Sequence, residues 1–227
     1  MGGTMPEKKE VRYIDIQIAE LRAKADGDSK RLVGYASIFD SPTEMWDFSE
    51  VIRAGTFLRA IKERQDTKAL KNHDNNLILG RVKNNTLFLL EDNKGLYMES
   101  IPPDTQIGRD VIIEVENGYI DQMSFAFVVP EGGDRWTTTE DGKLLREILD
   151  VDLYDVSIVT YPQYVDTSAG VRNNEFRTAK EVFQEFQTRQ SQERALIENK
   201  EAQKQELRAK VRQVNLDIVK LRMKGIL

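Results

Sequence analysis

The chain has 227 residues, of which 40% are hydrophobic and 31% are charged, and its formal net charge at pH 7 is −5. This composition suits a soluble protein with one globular domain and an appendage, and the acidic balance argues against a dedicated nucleic-acid-binding protein. The sequence has no cysteine and a single histidine, His73, which excludes disulfides, thiol catalysis and zinc sites that need several His or Cys ligands.

The first half of the chain is predicted to contain mostly short strands. Residues 1–10 are polar, and we expect them to be disordered. Alternating apolar side chains predict strands at Val11–Leu21 and Leu32–Phe39, which an Asp-Gly-Asp-Ser turn joins into a hairpin. Thr56 is in position to cap a short helix at Phe57–Arg64. Four more strands are predicted at Thr67–Lys71, Leu77–Lys83, Leu87–Glu91 and Gly95–Ile101.

The second half of the chain continues with one helix and two strands. Apolar residues at helical spacing predict a helix at Asp104–Glu116, which an Asn-Gly pair would stop. Alternation with a period of two predicts strands at Ile120–Val129 and Leu144–Thr160. Residues 11–165 are therefore predicted to form a mainly β domain of the α+β class, with a closed or nearly closed β-barrel flanked by short helices.

The composition changes after residue 174. Residues 166–174 are interpreted as a linker, and residues 175–227 contain twelve basic and eight acidic residues with no proline. Heptad spacing predicts a long helical tail whose last part has a coiled-coil seam, formed by Leu207, Val211, Val214, Ile218 and Leu221. The helix either folds back on the domain or forms an extended arm that pairs with other chains. The polar centre of the seam favours the arm.

The strand at Ile120–Val129 contains the first candidate for chemistry, Ser124. One face of this strand is bulky and is read as core, whereas Ser124 has Gln122 and Ala126 as its neighbours on the other face. A hydroxyl on a rigid strand with space above it is suited to act as a nucleophile. The alternative, which the strand pattern alone favours, is an ordinary strand serine.

His73 and Asp155 are the other candidates. His73 lies in a polar turn, where it is either a solvated loop histidine or a general base, since an unperturbed imidazole titrates near pH ~6.5. Asp155 interrupts a mostly apolar row in the segment Leu149–Val159, so its carboxylate must be paired or hydrogen-bonded. Its partner is either the imidazole of His73 or the side chain of a lysine or arginine.

Several stretches of the sequence resemble the prohead proteases of tailed phages, which are capsid-maturation serine proteases related to the herpesvirus assemblins. The matching stretches are Gly34–Asp40, Ile52–Phe57, Leu70–Asp74 with Leu79–Arg81, Asp92–Leu96, Gly118–Phe127 and Leu153–Pro162. Each stretch is weak as a pattern, but their order along the chain is specific. Together they cover about residues 32–170.

The resemblance implies an assemblin-like β-barrel and a serine endopeptidase with Ser124 as nucleophile, His73 as general base and Asp155 as the acidic member. The family usually has Glu at the position of Asp155, so the carboxylate of this chain reaches one methylene less far. The herpesvirus relatives use a second histidine, which this chain lacks. Arg81 is a candidate for the oxyanion hole, although a structural salt bridge is the role that we favour for it. The resemblance implies no cofactor and no metal.

The resemblance also implies a biological setting, in the host cytoplasm and inside the procapsid. The enzyme would cleave the scaffold or the major capsid protein and then itself, with self-cleavage expected near residues 165–174. We expect the C-terminal helix to bind scaffold or capsid subunits and to mediate self-association. The sequence has no apolar run of membrane-spanning length and no signal peptide, so we expect no membrane partner. The absence of cysteine indicates an intracellular protein, and the acidic net charge argues against a specific nucleic-acid partner. The alternatives are a non-catalytic scaffolding or capsid assembly factor and a different serine hydrolase.

Overall fold

The computed structural model describes residues 8–14, 21–26, 29–160 and 176–223. The chain divides into two compact units, Met1–Lys180 and Glu181–Leu227. The first unit contains every described strand and the candidate site. The predicted linker at residues 166–174 and residues 1–7 of the predicted disordered segment lie outside the described residues.

Five strands form the sheet that carries the candidate site, called the site sheet below. In spatial order they are β1 (Glu10–Ile14), β10 (Gln122–Val128), β13 (Asp152–Val159), β6 (Lys68–Lys71) and β7 (Asp74–Arg81). β13 and β6 run parallel, and the other neighbouring strands run antiparallel. β10 and β13 are rich in apolar residues and are buried on both faces, as central strands of a sheet commonly are.

Two further sheets of four strands each occur among the described residues. The first contains β11 (Asp134–Thr138), β12 (Leu144–Ile148), β5 (Ser49–Ile52) and β4 (Thr43–Glu44). The second contains β2 (Arg22–Asp26), β3 (Ser29–Ile38), β9 (Gly95–Ser100) and β8 (Leu87–Glu91). β3 packs against β10 of the site sheet, so the two sheets share one core.

The mainly β, α+β class predicted from the sequence is confirmed, but the predicted barrel is not. A barrel closes only when the two edge strands of a sheet pair with each other. In each sheet of the described residues the strand order is linear, and its two edge strands do not pair. The strands bury their apolar faces by packing one open sheet on another. A closed barrel is therefore not needed to form the hydrophobic core.

Two strand predictions are corrected by the pairing. β1 does not form a hairpin with the following strand, because it pairs antiparallel with β10; the predicted hairpin is instead made by β2 and β3. The strand predicted at Leu144–Thr160 is two strands, β12 and β13. The chain breaks between them because the backbone N–H groups of Leu149 and Asp150 both donate to the carbonyl of Gly133, at 2.8 and 3.1 Å.

Two short helices flank the sheets, and both begin later than predicted. α1 spans Leu58–Lys62 and has no side-chain cap. The hydroxyl of Thr56, predicted as that cap, lies 2.9 Å from the carbonyl oxygen of Ile148 instead. α2 spans Gln106–Glu116 and is capped by Thr105, whose side chain accepts a hydrogen bond from the N–H of Gly108.

The aromatic core lies beneath β10. Phe125 and Phe127 are 1% and 0% exposed, as the predicted core face requires, and their rings stack with centroids 5.0 Å apart. The ring of Phe57 meets Phe125 edge to face at 5.5 Å. Tyr119, predicted on the same face, is 76% exposed because it precedes β10 in the turn that follows α2.

The third helix, α3, spans Ala179–Met223, and nearly all of it belongs to the second unit. Every side chain from residue 187 to residue 213 is exposed, including four large apolar ones at Leu196, Ile197, Leu207 and Val211. The predicted helix is thus present, and its pairing as a coiled coil stays a prediction. None of the described helices combines the length and the apolar character needed to cross a membrane.

Candidate active site

His73 lies in a tight turn that joins β6 to β7. Lys71 and Asp74 are register partners, so Asn72 and His73 are the two central residues of the hairpin. Their φ angles are 54° and 56°, the left-handed pattern of a type I′ turn. Glycine is preferred at the second central position, and a residue with a Cβ costs about 1 kcal/mol there. The histidine is therefore held in a strained backbone conformation.

Contacts with the end of β13 hold this turn in place. The N–H of Asn72 donates to the carbonyl of Ile158 at 2.9 Å, and the N–H of Thr160 donates to Oδ1 of Asn72 at 3.0 Å. The N–H of His73 donates to Oγ of Ser157 at 3.3 Å. The turn is thus attached to the strand that also carries Asp155, which fixes where the imidazole lies.

Ser124 and Asp155 come from the two central strands of the site sheet. In the β10–β13 register Ser124 lies opposite Ser157, and Ala126 lies opposite Asp155. Directly opposed residues share a face, and so do residues two apart in one strand, so Ser124 and Asp155 point to the same side. Both are buried, at 0% and 4% exposure.

The structure brings all three predicted residues into hydrogen-bond contact. Nδ1 of His73 lies 2.6 Å from Oδ1 of Asp155, and Nε2 of His73 lies 2.7 Å from Oγ of Ser124. Asp155 therefore pairs with the imidazole, and no lysine or arginine of the described chain forms an ion pair with it. When Nδ1–H donates to the carboxylate, the neutral ring presents the lone pair of Nε2 to the hydroxyl. This is the geometry in which a histidine can deprotonate a serine.

The hydroxyl of Ser124 has a second acceptor, which the sequence did not indicate. Oγ of Ser124 also donates to the carbonyl oxygen of Arg12 in β1, at 2.8 Å. A hydroxyl carries one proton, so the carbonyl and a neutral His73 compete for it. A backbone carbonyl has no sequence signature, and only the pairing of β1 with β10 reveals it.

A buried network of charges anchors β1 beside Ser124. Arg12 donates to both Glu10 and Glu50, and Arg146 donates to Glu10, Glu50 and Asp134. Burial by itself raises the pKa of Glu10, but Arg146 and Arg12 outweigh it and lower this pKa from 4.5 to about 2. Glu10, the last residue of the predicted disordered segment, is thus the first residue of an anchored strand.

Phe176, which lies shortly before α3, packs against the site. The ring of Phe176 meets the imidazole of His73 edge to face, with centroids 5.8 Å apart. Phe176 is held there by a parallel bridge to Lys9, and the N–H of Arg177 donates to the carbonyl of Lys9 at 2.7 Å. The side chain of His73 is only 8% exposed. The ring of Phe176 therefore covers part of the imidazole.

Arg81 lies in a structural salt bridge. Its guanidinium donates two hydrogen bonds to the carboxylate of Asp66. These bonds lower the pKa of Asp66 to about 2. These contacts fit the role that we favoured for Arg81, a structural salt bridge and not a donor of the oxyanion hole. Among the residues that the structure describes, no group of three or more His, Asp or Glu side chains is arranged to hold a metal ion.

Comparisons with known proteins agree with the resemblance seen in the sequence. The family model described as caudovirus prohead serine protease matches residues 17–182, which include Ser124, His73 and Asp155. The fold is similar to the bacteriophage T4 capsid assembly protease, gp21, with a TM-score of 0.40 and 11% sequence identity, covering 67% of this chain and 99% of that chain. No curated protein matches the chain. At this TM-score the structural likeness carries no further weight.

Proposed function

The chain belongs to the caudovirus prohead serine protease family, and we propose that it is the endopeptidase that cleaves scaffold or capsid protein, and itself, during procapsid maturation. The observation that carries this proposal is the row of hydrogen bonds from Asp155 through His73 to Ser124. The family supports the class of enzyme, and this row of bonds supports Ser124, His73 and Asp155 as the residues of a Ser-His-Asp mechanism.

In the proposed mechanism Oγ of Ser124 attacks the carbonyl carbon of the scissile peptide bond. Nε2 of His73 takes the hydroxyl proton and then returns it to the leaving amine, which releases the first product. Asp155 keeps the imidazole in the correct tautomer and stabilises the imidazolium. A water molecule then attacks the acyl-enzyme with His73 again as the base, which frees Ser124.

The shorter acidic side chain is compatible with this mechanism. Asp155 lacks one methylene of the Glu that is usual in the family, yet its Oδ1 reaches Nδ1 of His73 at 2.6 Å. The turn at Asn72–His73 is attached to β13 and brings the ring close enough to the shorter carboxylate. A second histidine is not needed for the row to be complete.

We further propose that maturation opens the site. Oγ of Ser124 must leave the carbonyl of Arg12 to donate to His73, and Phe176 must leave the imidazole to admit a peptide. The segment at residues 165–174, which ends two residues before Phe176, is the proposed self-cleavage region. Cleavage there would release the segment that contributes Phe176.

Scaffold and major capsid protein are the proposed partners, met inside the procapsid in the host cytoplasm. The exposed apolar side chains of α3 support this, because solvent-facing Leu, Ile and Val residues on a long helix are suited to pairing with another helix. Self-association through α3 is proposed on the same ground. The same side chains favour a second candidate function, a non-catalytic scaffolding or capsid assembly factor.

Co-expression with the neighbouring capsid gene tests the proposal. We expect shortened capsid or scaffold protein on a gel with the wild-type chain, and only full-length protein with Ser124→Ala. Ser100→Ala is the matched control, because Ser100 is also 0% exposed but bonds to the carbonyl of Leu79. Unchanged processing by Ser124→Ala contradicts the assignment of Ser124. Capsid assembly that needs the chain but not Ser124 favours the scaffolding function, and hydrolysis of small esters without cleavage of capsid protein favours a different serine hydrolase.

A further inference from the structure

The hydroxyl of Ser157 joins the backbone of His73 to the carboxylate of Asp155. It accepts a hydrogen bond from the N–H of His73 at 3.3 Å and donates one to Oδ1 of Asp155 at 2.6 Å. A serine hydroxyl has one proton and two lone pairs, so both bonds form at once. Ser157 is 0% exposed, and this hydroxyl is therefore kept apart from competing water.

His73 needs this contact because its backbone is strained. The left-handed φ of 56° is unfavourable for a residue with a Cβ, and such conformations persist only where surrounding groups hold them. The hydroxyl of Ser157 holds the N–H of His73 itself, whereas the contacts of Asn72 hold the residue before it. Losing the hydroxyl would free the backbone from which the imidazole projects.

Asp155 needs the contact because its Oδ1 is shared. This oxygen accepts from Nδ1 of His73 and also from Oγ of Ser157, both at 2.6 Å. Ser157 lies two residues after Asp155 on the same face of β13, so the second bond fixes the carboxylate relative to its own strand. The carboxylate is then presented to the imidazole in one orientation.

We propose that Ser157 is a positioning residue, which sets the geometry of His73 and Asp155 and acts on Ser124 only through them. This inference rests on the proposed function, since it assigns a role within the same site. Ser157 forms no hydrogen bond with Oγ of Ser124 in the described structure, although it lies opposite Ser124 in the strand register. Ser157 is thus a fourth residue of the site, and it fixes the positions of His73 and Asp155.

The test uses a reagent that reports on the Ser124–His73 pair without a peptide substrate. The full-length chain is treated with diisopropyl fluorophosphate, and the rate of label at Ser124 is followed by mass spectrometry. We expect Ser157→Ala to be labelled about tenfold more slowly than wild type, which corresponds to ~1.4 kcal/mol in the barrier. Ser157→Thr, which restores a hydroxyl, should recover most of the rate.

Ser100→Ala is the matched control, because it removes an equally buried hydroxyl away from the site. We expect it to be labelled at the wild-type rate even where it lowers the unfolding temperature as much as Ser157→Ala does. Equal labelling of Ser157→Ala and Ser100→Ala overturns the inference. If Ser157→Ala does not fold, a folded Ser157→Val, which also lacks the hydroxyl, replaces it, and wild-type labelling of that variant likewise overturns the inference.

Introducing Ser157→Ala both into the wild-type chain and into a chain that carries Asp155→Ala separates positioning from a general loss of stability. Ser157→Ala should slow labelling much less in a chain that already carries Asp155→Ala, because part of what it positions is gone. An equal slowing in both backgrounds contradicts action through Asp155. A wild-type chain that neither processes capsid protein nor takes label at Ser124 contradicts the proposed function itself, and the inference falls with it.

Discussion

Nε2 of His73 lies 2.7 Å from Oγ of Ser124, although 51 residues separate the two in the chain. One residue comes from a hairpin turn at the end of β6 and the other from the middle of β10. The strand between them, β13, carries Asp155 and also anchors the turn. One strand thus positions both the carboxylate and the imidazole.

Replacing His73 by alanine is expected to abolish processing as completely as Ser124→Ala, a loss of roughly 10⁴-fold or more. The hydroxyl of Ser124 then has no base within reach. The double variant should be no slower than either single variant, because the two residues act as one unit. Time courses of capsid-protein cleavage on gels measure all three rates, with Ser100→Ala as control. A double variant whose loss is the product of the two single losses would contradict the joint mechanism.

Asp155→Asn is expected to slow processing by roughly 10³- to 10⁴-fold while the chain stays folded. An amide that presents its NH₂ group to Nδ1 favours the tautomer in which Nε2 carries the proton, so His73 cannot accept the proton of Ser124. The same cleavage time course measures the loss, and thermal unfolding checks the fold. Asp104→Asn, at an exposed aspartate whose side chain is 92% accessible, is the control. Wild-type processing by Asp155→Asn would show that the carboxylate has no part in the reaction.

Glu10 makes stability depend on pH in the acidic range. Burial raises its pKa, but Arg146 and Arg12 lower it further, from 4.5 to about 2 in the folded chain. A lowered folded pKa means that the stabilisation is fully present above pH 4.5 and is lost as the pH falls towards 2. By linkage the effect is on the order of 3 kcal/mol.

Urea unfolding at pH 7 and pH 3 tests this effect. We expect Glu10→Gln to lower the free energy of unfolding at pH 7 and to reduce its further loss at pH 3. Glu131→Gln, at an exposed glutamate, is the control and should leave both values close to wild type. An acid-induced loss that is the same in wild type and Glu10→Gln would mean that other carboxylates cause it.

Phe176→Ala is expected to increase the rate at which diisopropyl fluorophosphate labels Ser124, by roughly three- to tenfold. The ring of Phe176 meets His73 edge to face, so a methyl in its place leaves more room for the reagent beside the imidazole. Phe88→Ala, at a phenylalanine of β8 that is 48% exposed, is the control. Equal labelling of Phe176→Ala and wild type would mean that another element limits access.

Local sequence patterns predicted what depends on neighbouring residues. The alternation around Ser124 placed Phe125 and Phe127 in the core, and both are buried. The apolar row interrupted by Asp155 required a buried partner for its carboxylate, and the imidazole of His73 occupies that place. The alternation of apolar and polar residues predicts which side chains are buried, because successive residues of a strand point to opposite faces and only one face is apolar.

Pairing across long separations could not be read from the same patterns. Nothing in the residues of β1 indicates that it joins β10, whereas the strand that follows it in the chain pairs with β3. The predicted disordered segment was extended to Glu10 because charged residues suggest solvent, and only the partners Arg12 and Arg146 make its burial favourable. The predicted barrel failed for a related reason, since alternation predicts strands but not which edges meet.

The sequence by itself determined the chemical inventory of the site: one histidine, a serine on a buried strand, an aspartate in an apolar row, and the ordered motifs that carry the family resemblance. Tertiary structure alone decided their distances, the role of Ser157 as a bridge, the second acceptor at Arg12 and the cover formed by Phe176. The physical reason is that residue type and spacing set what a side chain can donate, accept or bury. Which group lies within 3 Å of it depends on strands brought together from opposite ends of the chain.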